Sequence, residues 1–471
     1  MSKRRKNIIL ENIQLTTAGA KGVTIGKTEA GKTVLVSGAV PGDVVRARVK
    51  KSKKQYDEAE VLDIIEPSKD RVAPVCIHFG VCGGCKWQNL SYSKQLEFKQ
   101  NEVLNNLKRI GGIENFETLP ILGSEEVYFY RNKMEFSFSN ARWLTAEEIA
   151  EDQAITHKNA LGFHIPGMWS KILDLKECYL QEAPSNDIRL AVKQYADAHN
   201  LAFFDVKNQE GFLRTLMLRQ NSKGEWMVLF QIYREETEHR IALFDFLLQK
   251  FPQIKTLVYT INPKSNDSIY DLDIIPYYGD GFLVEEMDGL EFKIGPKSFF
   301  QTNYQQALNL YRKTLEFADL KGDEVVYDLY TGTGTIAQFV ARNAKQVIGI
   351  ESVPEAIAAA KEHAQHNGLH NCTFYCGDMK DIFTDEFLAQ HPKADVLITD
   401  PPRDGMHAKV VEQILKLAPE KIVYVSCNSA TQARDLALMK HQYRVEKILP
   451  VDMFPQTHHI ENIALLTKIN S

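Results

Sequence analysis

The chain has 471 residues, 44% hydrophobic and 25% charged, which is the balance of an ordinary globular protein of about two to four domains and excludes a disordered or fibrous chain. No apolar run approaches a membrane span, and "MSKRRKNIILENIQL" starts basic without a signal-peptide core, so a cytoplasmic location and no membrane partner are expected. The net charge of −5 is uneven: residues 1–60 hold thirteen Lys and Arg against six Asp and Glu, or +7, which leaves −12 for the rest.

In chain order, residues 1–65 read as short strands, "ILENIQLTT", "KTVLVSGAV", "DVVRARVKK" and "AEVLDII", broken by the turn signals "GAKG", "EAGK" and "PGD". That pattern predicts a small β-barrel of the oligonucleotide-binding type, and its basic runs "MSKRRK" and "RARVKKSKK" suit phosphate contact. "EPSKDRVAP" reads as a linker. Cys76, Cys82 and Cys85 follow in a Gly-rich loop, then a helix over 94–110 that ends in glycines. A domain over 66–292 is expected to be α+β with antiparallel character, from strands such as "RNKMEFSFS", "TLMLRQ", "WMVLFQIY" and "TLVYTIN" and the helical "HRIALFDFLLQKF". Within it the acidic "LTAEEIAEDQAI" is predicted helical. Over 293–471 strands and helices alternate, "EVVYDLY", "KQVIGIE", "CTFYC", "ADVLITD" and "KIVYVSC" being short apolar strands, so a Rossmann-like parallel sheet is expected.

Gly332 and Gly334 sit between the strand "VVYDLY" and a helix, a turn that lets a ligand approach the backbone, and Glu351 ends the next strand seventeen residues after Gly334, where it can hold ribose hydroxyls. An NAD-dependent enzyme is one reading. Asp328 before the glycines and Asp378 after a third strand suit S-adenosylmethionine better. Asp400 ends the fourth strand in "DPPRDG", whose two prolines pin the backbone. Arg403 stands where enzymes that methylate exocyclic amines carry an aromatic residue, which argues against that chemistry. Cys427, at the end of a fifth strand of the same sheet, should lie beside Asp400, and its place before a helix start can lower its pKa from about 8.5. Cys76, Cys82, Cys85 and the distant Cys178 read as a metal site, for which zinc and an iron-sulfur cluster are equal on spacing. Cys372 and Cys376 read as packing on an interior strand.

The stretches "PVCIHFGVCGGCKWQ" with Cys178 in "LKECYL", "GPKSFFQTN", "DLYTGTGT", "GIE", "DPPRDG", "VSCNSATQARD" and "MFPQTHHIENIALL" together resemble the S-adenosylmethionine-dependent RNA uracil-5-methyltransferases with an iron-sulfur cluster. The chain is most similar to the bacterial 23S ribosomal RNA methylases that carry an N-terminal TRAM barrel. The resemblance implies Cys427 as nucleophile and Glu461 as base, with Gln301, Tyr330, Thr335, Glu351, Asp378 and Asp400 lining the cofactor and base pocket. It also implies a [4Fe-4S] cluster on Cys76, Cys82, Cys85 and Cys178, and a monomer acting on 23S rRNA. Thr335, Ser429, Asn89 and Gln456 depart from the family's usual Asn, Pro, His and His. The chemistry is coherent, because carbon 5 of uracil becomes nucleophilic only after a thiolate adds to carbon 6, and a base must then remove the carbon 5 proton. A tRNA uracil-5-methyltransferase shares these residues. An NAD-dependent oxidoreductase would need neither Cys427 nor Glu461, and a non-catalytic RNA-binding protein would need only the barrel. The helix at 94–110 is expected to pack on the catalytic domain despite its place in the chain.

Overall fold

The computed structural model describes residues 8–145, 148–149 and 158–469; the basic start "MSKRRK" and most of the acidic segment 144–155 lie outside the described residues. The chain divides into two compact units, one of Met1–Gly80, Gly84–Val127 and Asp400–Ser471, the other of Val81–Gly83 and Tyr128–Thr399. Among the described residues no helix is long and apolar enough to cross a membrane.

In the first unit, strands Ile9–Ala18, Thr24–Lys27, Thr33–Ser37, Tyr56–Glu66 and Val44–Ser52 close into a barrel in that order. Ile13, Leu15, Val34, Val36, Val45, Ala47 and Ala59 alternate inward to fill it. Thr24–Lys27 is a strand the sequence pattern did not reveal, being only four residues with Gly26 among them. That glycine is required there, since a Cβ would lie 2.7 Å from the Gln14 carbonyl oxygen. The cations of "RARVKKSKK" are less available than a basic run suggests. Arg46 pairs with Glu11 and Asp63, Arg48 and Lys50 with Glu60, and Lys53 with Glu58. The predicted linker is fastened to the barrel: buried Asp43 accepts from Ser68 N at 2.9 Å and from Arg71 Nε and Nη2, each at 2.8 Å.

The helix Tyr92–Asn106 runs into a wider turn over Leu107–Gly111 and stops at Gly112, whose φ of 57° is left-handed. It packs on the helix Ser429–Met439, and Asn106 Nδ2 donates to Ser429 Oγ at 2.8 Å. Its buried stripe is Gln95, Lys99 and Val103, four residues apart, so polar side chains face inward. The unit's sheet runs in the order Lys421–Ser426, Glu461–Lys468, Tyr443–Val451 and Glu117–Thr118. Its first three strands are antiparallel, with Ser426 opposite Asn462 and Val451 opposite Glu461. This register brings Cys427 and Glu461 to one end of neighbouring strands.

The second unit holds a seven-stranded sheet ordered Ile275–Tyr278, Ile254–Ile261, Trp226–Ile232, Leu213–Gln220, Lys133–Ser139, Ala160–Ile165 and Met168–Asp174. It is antiparallel except between Trp226–Ile232 and Ile254–Ile261, which run parallel because the helix Thr237–Lys250 carries the chain back across it. The same unit contains four parallel strands ordered Cys372–Cys376, Gln346–Glu351, Val325–Leu329 and Val396–Thr399. Val325–Leu329 is buried throughout, as a strand covered on both faces must be. The strand Cys372–Cys376 is not interior as expected: among the described residues it ends the order, paired with Gln346–Glu351 on one side, which leaves Cys376 exposed and Cys372 half-buried.

Candidate active site

The first unit gathers a thiol, two carboxylates and a guanidinium. Cys427 follows the buried strand Lys421–Ser426 and precedes Asn428, the N-cap of Ser429–Met439, whose side chain accepts from Ala430 N at 3.1 Å. The Arg403 carbonyl oxygen ties the Cys427 loop to the Asp400–Gly405 loop, accepting from Asn428 Nδ2 at 2.8 Å and Thr431 Oγ1 at 3.1 Å. Asp435 holds the second loop from below, accepting from Met406 N at 2.8 Å and from the Tyr424 hydroxyl at 2.7 Å. Gln432, fully buried, donates to Tyr424 O at 2.9 Å and accepts from Asn462 Nδ2 at 2.7 Å, locking together the strands that carry Cys427 and Glu461.

Electrostatics set the protonation of this corner. Burial pushes the Cys427 thiol up to about 11, the Glu461 and Asp400 carboxylates push the same way, and Arg403 opposes them by charge and a hydrogen bond. This corrects the expectation of a thiol eased toward ionisation by the helix start, because burial beside two acids outweighs it. Burial and the Asp400 charge likewise hold the Glu461 carboxyl well above the usual carboxylate range, against the pull of Arg403. A carboxyl and a thiol both raised by burial, with one guanidinium beside them, make a corner suited to proton exchange with a substrate.

The segment leading to Glu461 is braced by residues that the sequence did not single out. Lys99 and Asp452 form a fully buried pair at 2.5 Å, and the Tyr92 hydroxyl donates to the same carboxylate at 2.8 Å. Gln95 Nε2 donates to Gln456 Oε1 at 3.0 Å while Gln95 Oε1 accepts from Gln456 N at 3.0 Å. Gln456 has a left-handed φ of 65°, and its carbonyl oxygen accepts from Lys86 N at 2.8 Å and Trp87 N at 3.1 Å. The spacing of Gln95, Lys99 and Val103 was the available signal. His458 is half-buried, its Nδ1 sealed without a hydrogen-bond partner, and its ring lies 4.2 Å from that of His459. Of the departures from the family pattern, Ser429 takes part in the Asn106 contact and Gln456 in this brace.

In the second unit the glycine loop forms a separate polar nest. Tyr330 has a left-handed φ of 63°, and Gly332 and Gly334 have φ of 56° and 77°. Glu351 accepts from Gly332 N at 3.2 Å, Ser352 N at 2.7 Å and Val353 N at 3.0 Å. Asp328 is wholly buried, its Oδ2 accepting from the Thr331 hydroxyl and its Oδ1 without a close partner, and burial raises it to about 7 against the Thr331 hydroxyl and the weaker pull of the Ala337 N–H. A Cβ at Gly332 would meet nothing within 4 Å, so the loop leaves open space on that side. Thr335 starts the helix Thr335–Ala341, Asp378 caps Met379–Ile382 by accepting from Lys380 N at 3.2 Å, and the Gln301 carbonyl oxygen accepts from Asn132 Nδ2 at 3.0 Å.

Of the four remote cysteines, Cys76 and Cys85 belong to the first unit and Cys82 and Cys178 to the second. All are half-buried. Cys76 N donates to Gln88 Oε1 at 3.1 Å, while Asn186 clamps Cys178 from both sides, accepting from its N at 2.9 Å and donating to its O at 3.0 Å. Arg189, fully buried, supports that loop by donating to the Leu175 and Lys176 carbonyl oxygens; burial lowers its pKa to about 10 against the opposing charges of Asp174 and Cys178.

A model of the tRNA (Uracil-5-)-methyltransferase family matches residues 282–469, and one of the TRAM domain matches residues 12–62. An uncharacterized RNA methyltransferase of Bacteroides thetaiotaomicron is 53% identical over 451 residues, covering 95% of this chain and 99% of that protein. Another, from Porphyromonas gingivalis, is 50% identical over 463 residues, covering 97% and 99%. The crystal structure of Pyrococcus abyssi tRNA (uracil-54, C5)-methyltransferase in complex with S-adenosyl-L-homocysteine superposes with a TM-score of 0.74 at 28% identity, covering 97% of this chain and 100% of that one. With a TRAM barrel at its start, the chain belongs to the S-adenosylmethionine-dependent RNA uracil-5-methyltransferase family.

Proposed function

We propose that this enzyme methylates carbon 5 of a uridine in 23S rRNA, with Cys427 as nucleophile and Glu461 as base. The observation that carries the assignment is the meeting of Cys427, Glu461, Asp400 and Arg403 at one strand end, where the two carboxylates and the guanidinium all act on the thiol. The Cys427 thiol first loses its proton to solvent; the sulfur then forms a bond to carbon 6, and the ring's electron pair moves toward the carbonyl oxygen at carbon 4, which makes carbon 5 nucleophilic. S-adenosylmethionine, when bound, supplies the electrophilic methyl group. Glu461 then takes the proton from carbon 5, the carbon 6–sulfur bond breaks, and the ring's double bond returns as the thiolate leaves. A carboxylate held above its ordinary range suits that step, because a base with a pKa nearer neutrality accepts the proton more readily. The uridine must leave its stack to reach a half-buried sulfur.

Gln301, Tyr330, Thr335, Glu351, Asp378 and Asp400 are the residues proposed to hold the cofactor. Their surroundings fit it: the open side of Gly332 admits a ligand against the backbone, and the buried, unpartnered Asp328 Oδ1 suits a cationic amino acid end. Cys76, Cys82, Cys85 and Cys178 are proposed to hold a [4Fe-4S] cluster. Four thiolates suit iron-sulfur chemistry, and the buried Arg189 guanidinium offsets negative charge at Cys178. Anaerobically purified protein should then be brown and carry iron, and Cys178→Ser should lose it; stoichiometric zinc would refute the cluster.

A tRNA target is the second reading, favoured by the tRNA substrate named for the Pyrococcus abyssi relative. Deleting the gene and mapping lost 5-methyluridine in fractionated ribosomal and transfer RNA decides between them. No loss in either fraction would refute the proposed reaction.

A further inference from the structure

Around His458 the first unit assembles more positive charge than it compensates. Lys86 is exposed, and its backbone N–H is bonded to the Gln456 carbonyl oxygen two residues before His458. The barrel loop Ala20–Gly22 rests on the same stem, a Cβ at Gly22 lying 3.2 Å from Lys86 Cβ and 3.5 Å from Trp87 Nε1. Lys21, exposed on that loop, has a left-handed φ of 63°, a backbone state that costs a non-glycine residue about 1 kcal/mol or more. Burial depresses the imidazole's pKa to about 4, and the charges of Lys99, Lys86, Arg403 and Lys21 push the same way. Lys99 is compensated by Asp452, and Arg403 acts on Glu461 and Cys427. Lys21 and Lys86 have no such partner: among the described residues neither is ion-paired, whereas the barrel cations Lys32, Lys50 and Lys53 are. Nδ1 of His458 is sealed, so Nε2 is the ring nitrogen that a ligand can meet. A bare lone pair is tolerated inside more readily than an unpaired N–H, which puts the proton on Nε2 and makes it a donor.

We propose that Lys21, Lys86 and His458 form a cradle for an RNA phosphate next to the reacting uridine, so that the barrel loop and the Glu461 segment grip the same stretch of backbone. The cradle rests on the RNA substrate of the proposed function and goes beyond it by naming where the backbone is held. It also adds a loop to the barrel's strand cations, of which Arg46, Arg48, Lys50 and Lys53 are paired with acids. His458 lies three residues before Glu461 on a segment braced by Gln95 and Lys99, so a phosphate held there registers the nucleotide chain against the base.

The test is the salt dependence of binding to a short oligouridylate, measured on the full-length protein. Removing one cation that neutralises a single-strand phosphate lowers the slope of log K against log salt by about 0.7. Lys21→Ala with Lys86→Ala should lower the slope by about 1.4 and weaken binding at physiological salt, while Arg46→Ala with Lys50→Ala leaves the slope near wild type. His458→Phe, which fills the same space without a donor, should weaken binding with little change in slope. A wild-type slope in the Lys21→Ala, Lys86→Ala protein would overturn the cradle, whether or not the wild type methylates RNA. A lowered slope in that protein, together with a wild type that methylates neither ribosomal nor transfer RNA, would support the cradle and refute the proposed reaction. Melting curves and the alkylation rate of Cys427 should match wild type in the lysine variants; a change in either would mark a structural role and count against the cradle.

Discussion

Asp328 and Glu461 are both buried carboxyls raised by burial, yet they sit in opposite surroundings. Asp328 has a hydroxyl and a helix N–H in reach, and the nearby Glu351 is surrounded by backbone donors. Glu461 has Asp400 against it, a neighbouring thiol, and Arg403 as the opposing charge. One site is shaped by backbone donors that hold a carboxylate in place. The other sets two carboxyls and a thiol together with one guanidinium opposing them, an arrangement that perturbs proton affinity as reactive sites require. Burial alone therefore does not assign a role; the neighbours that oppose it do.

The sharpest break of that comparison removes the reacting groups. Cys427→Ala should abolish both methyl transfer and covalent attachment to RNA, a loss on the order of 10⁴-fold or more. Glu461→Gln should reduce turnover by about 10²- to 10⁴-fold but spare the first half of the reaction, leaving protein joined to methylated RNA. A denaturing gel with labelled cofactor reads both. Near-wild-type turnover by Glu461→Gln would falsify its role as base. The corresponding change in the other carboxyl, Asp328→Asn, should trap no adduct.

Next is the pH profile of the thiol, read as Cys427 alkylation corrected with the Cys427→Ala protein. The wild-type midpoint should lie near 11, far above a free cysteine. Asp400→Asn removes a negative charge that disfavours the thiolate, so its midpoint falls; Arg403→Gln removes the charge that favours it, so its midpoint rises. The Asp400→Asn midpoint should fall by about one pH unit or more. If both substitutions moved the midpoint the same way, the electrostatic account of this corner would fail.

Much of this was legible in the sequence and some was not. The strand-end places of Cys427, Asp400 and Glu351 follow from short, β-branched apolar runs that stop at polar residues, a length and composition that favour a buried strand over a helix. The helix Tyr92–Asn106 was legible, but its purpose was not: Lys99 meets Asp452 353 residues away, and no local pattern signals a partner at that distance. The sign of the Cys427 shift was hidden for the same reason, because a helix start is local and the carboxylates that outweigh it arrive from other segments. The strand Cys372–Cys376 was misplaced because an apolar run does not say whether a neighbour exists on both sides.

The Asp328 side of the comparison is sharpened by stability. Its folded pKa is about 7 against an ordinary aspartate's 3.8, so between these values the folded state binds more protons than the unfolded one. Stability from this group is therefore greatest below about pH 4, falls as pH rises toward 7, and is flat above. The fall is at most about 4 kcal/mol, from about 1.4 kcal/mol per unit. Asp328→Asn should remove that slope, melting at a higher temperature than wild type at pH 8 and at nearly the same one at pH 4. A variant that kept the wild-type difference between the two pH values would show that another group titrates there.

The smallest effect separates two glycines of the same loop. Gly334 has a φ of 77°, and a Cβ there would lie 2.9 Å from Ala360 Cβ and 3.2 Å from the Phe374 ring, so Gly334→Ala adds a clash to the strain of a left-handed backbone. Gly332 is also left-handed but faces open space, so Gly332→Ala should cost only the strain, about 1 kcal/mol. If that space admits the cofactor, Gly332→Ala should nonetheless weaken S-adenosylhomocysteine binding by calorimetry, while Gly334→Ala mainly lowers the melting temperature. A ligand that stabilises wild type by RT ln(1 + [L]/Kd), about 2.7 kcal/mol at a hundredfold excess over Kd, would then stabilise the Gly332→Ala protein less at the same concentration. Equal stabilisation of both would mean that the open side of Gly332 is not where the ligand lies, and the backbone nest around Glu351 would have to bind it from another direction.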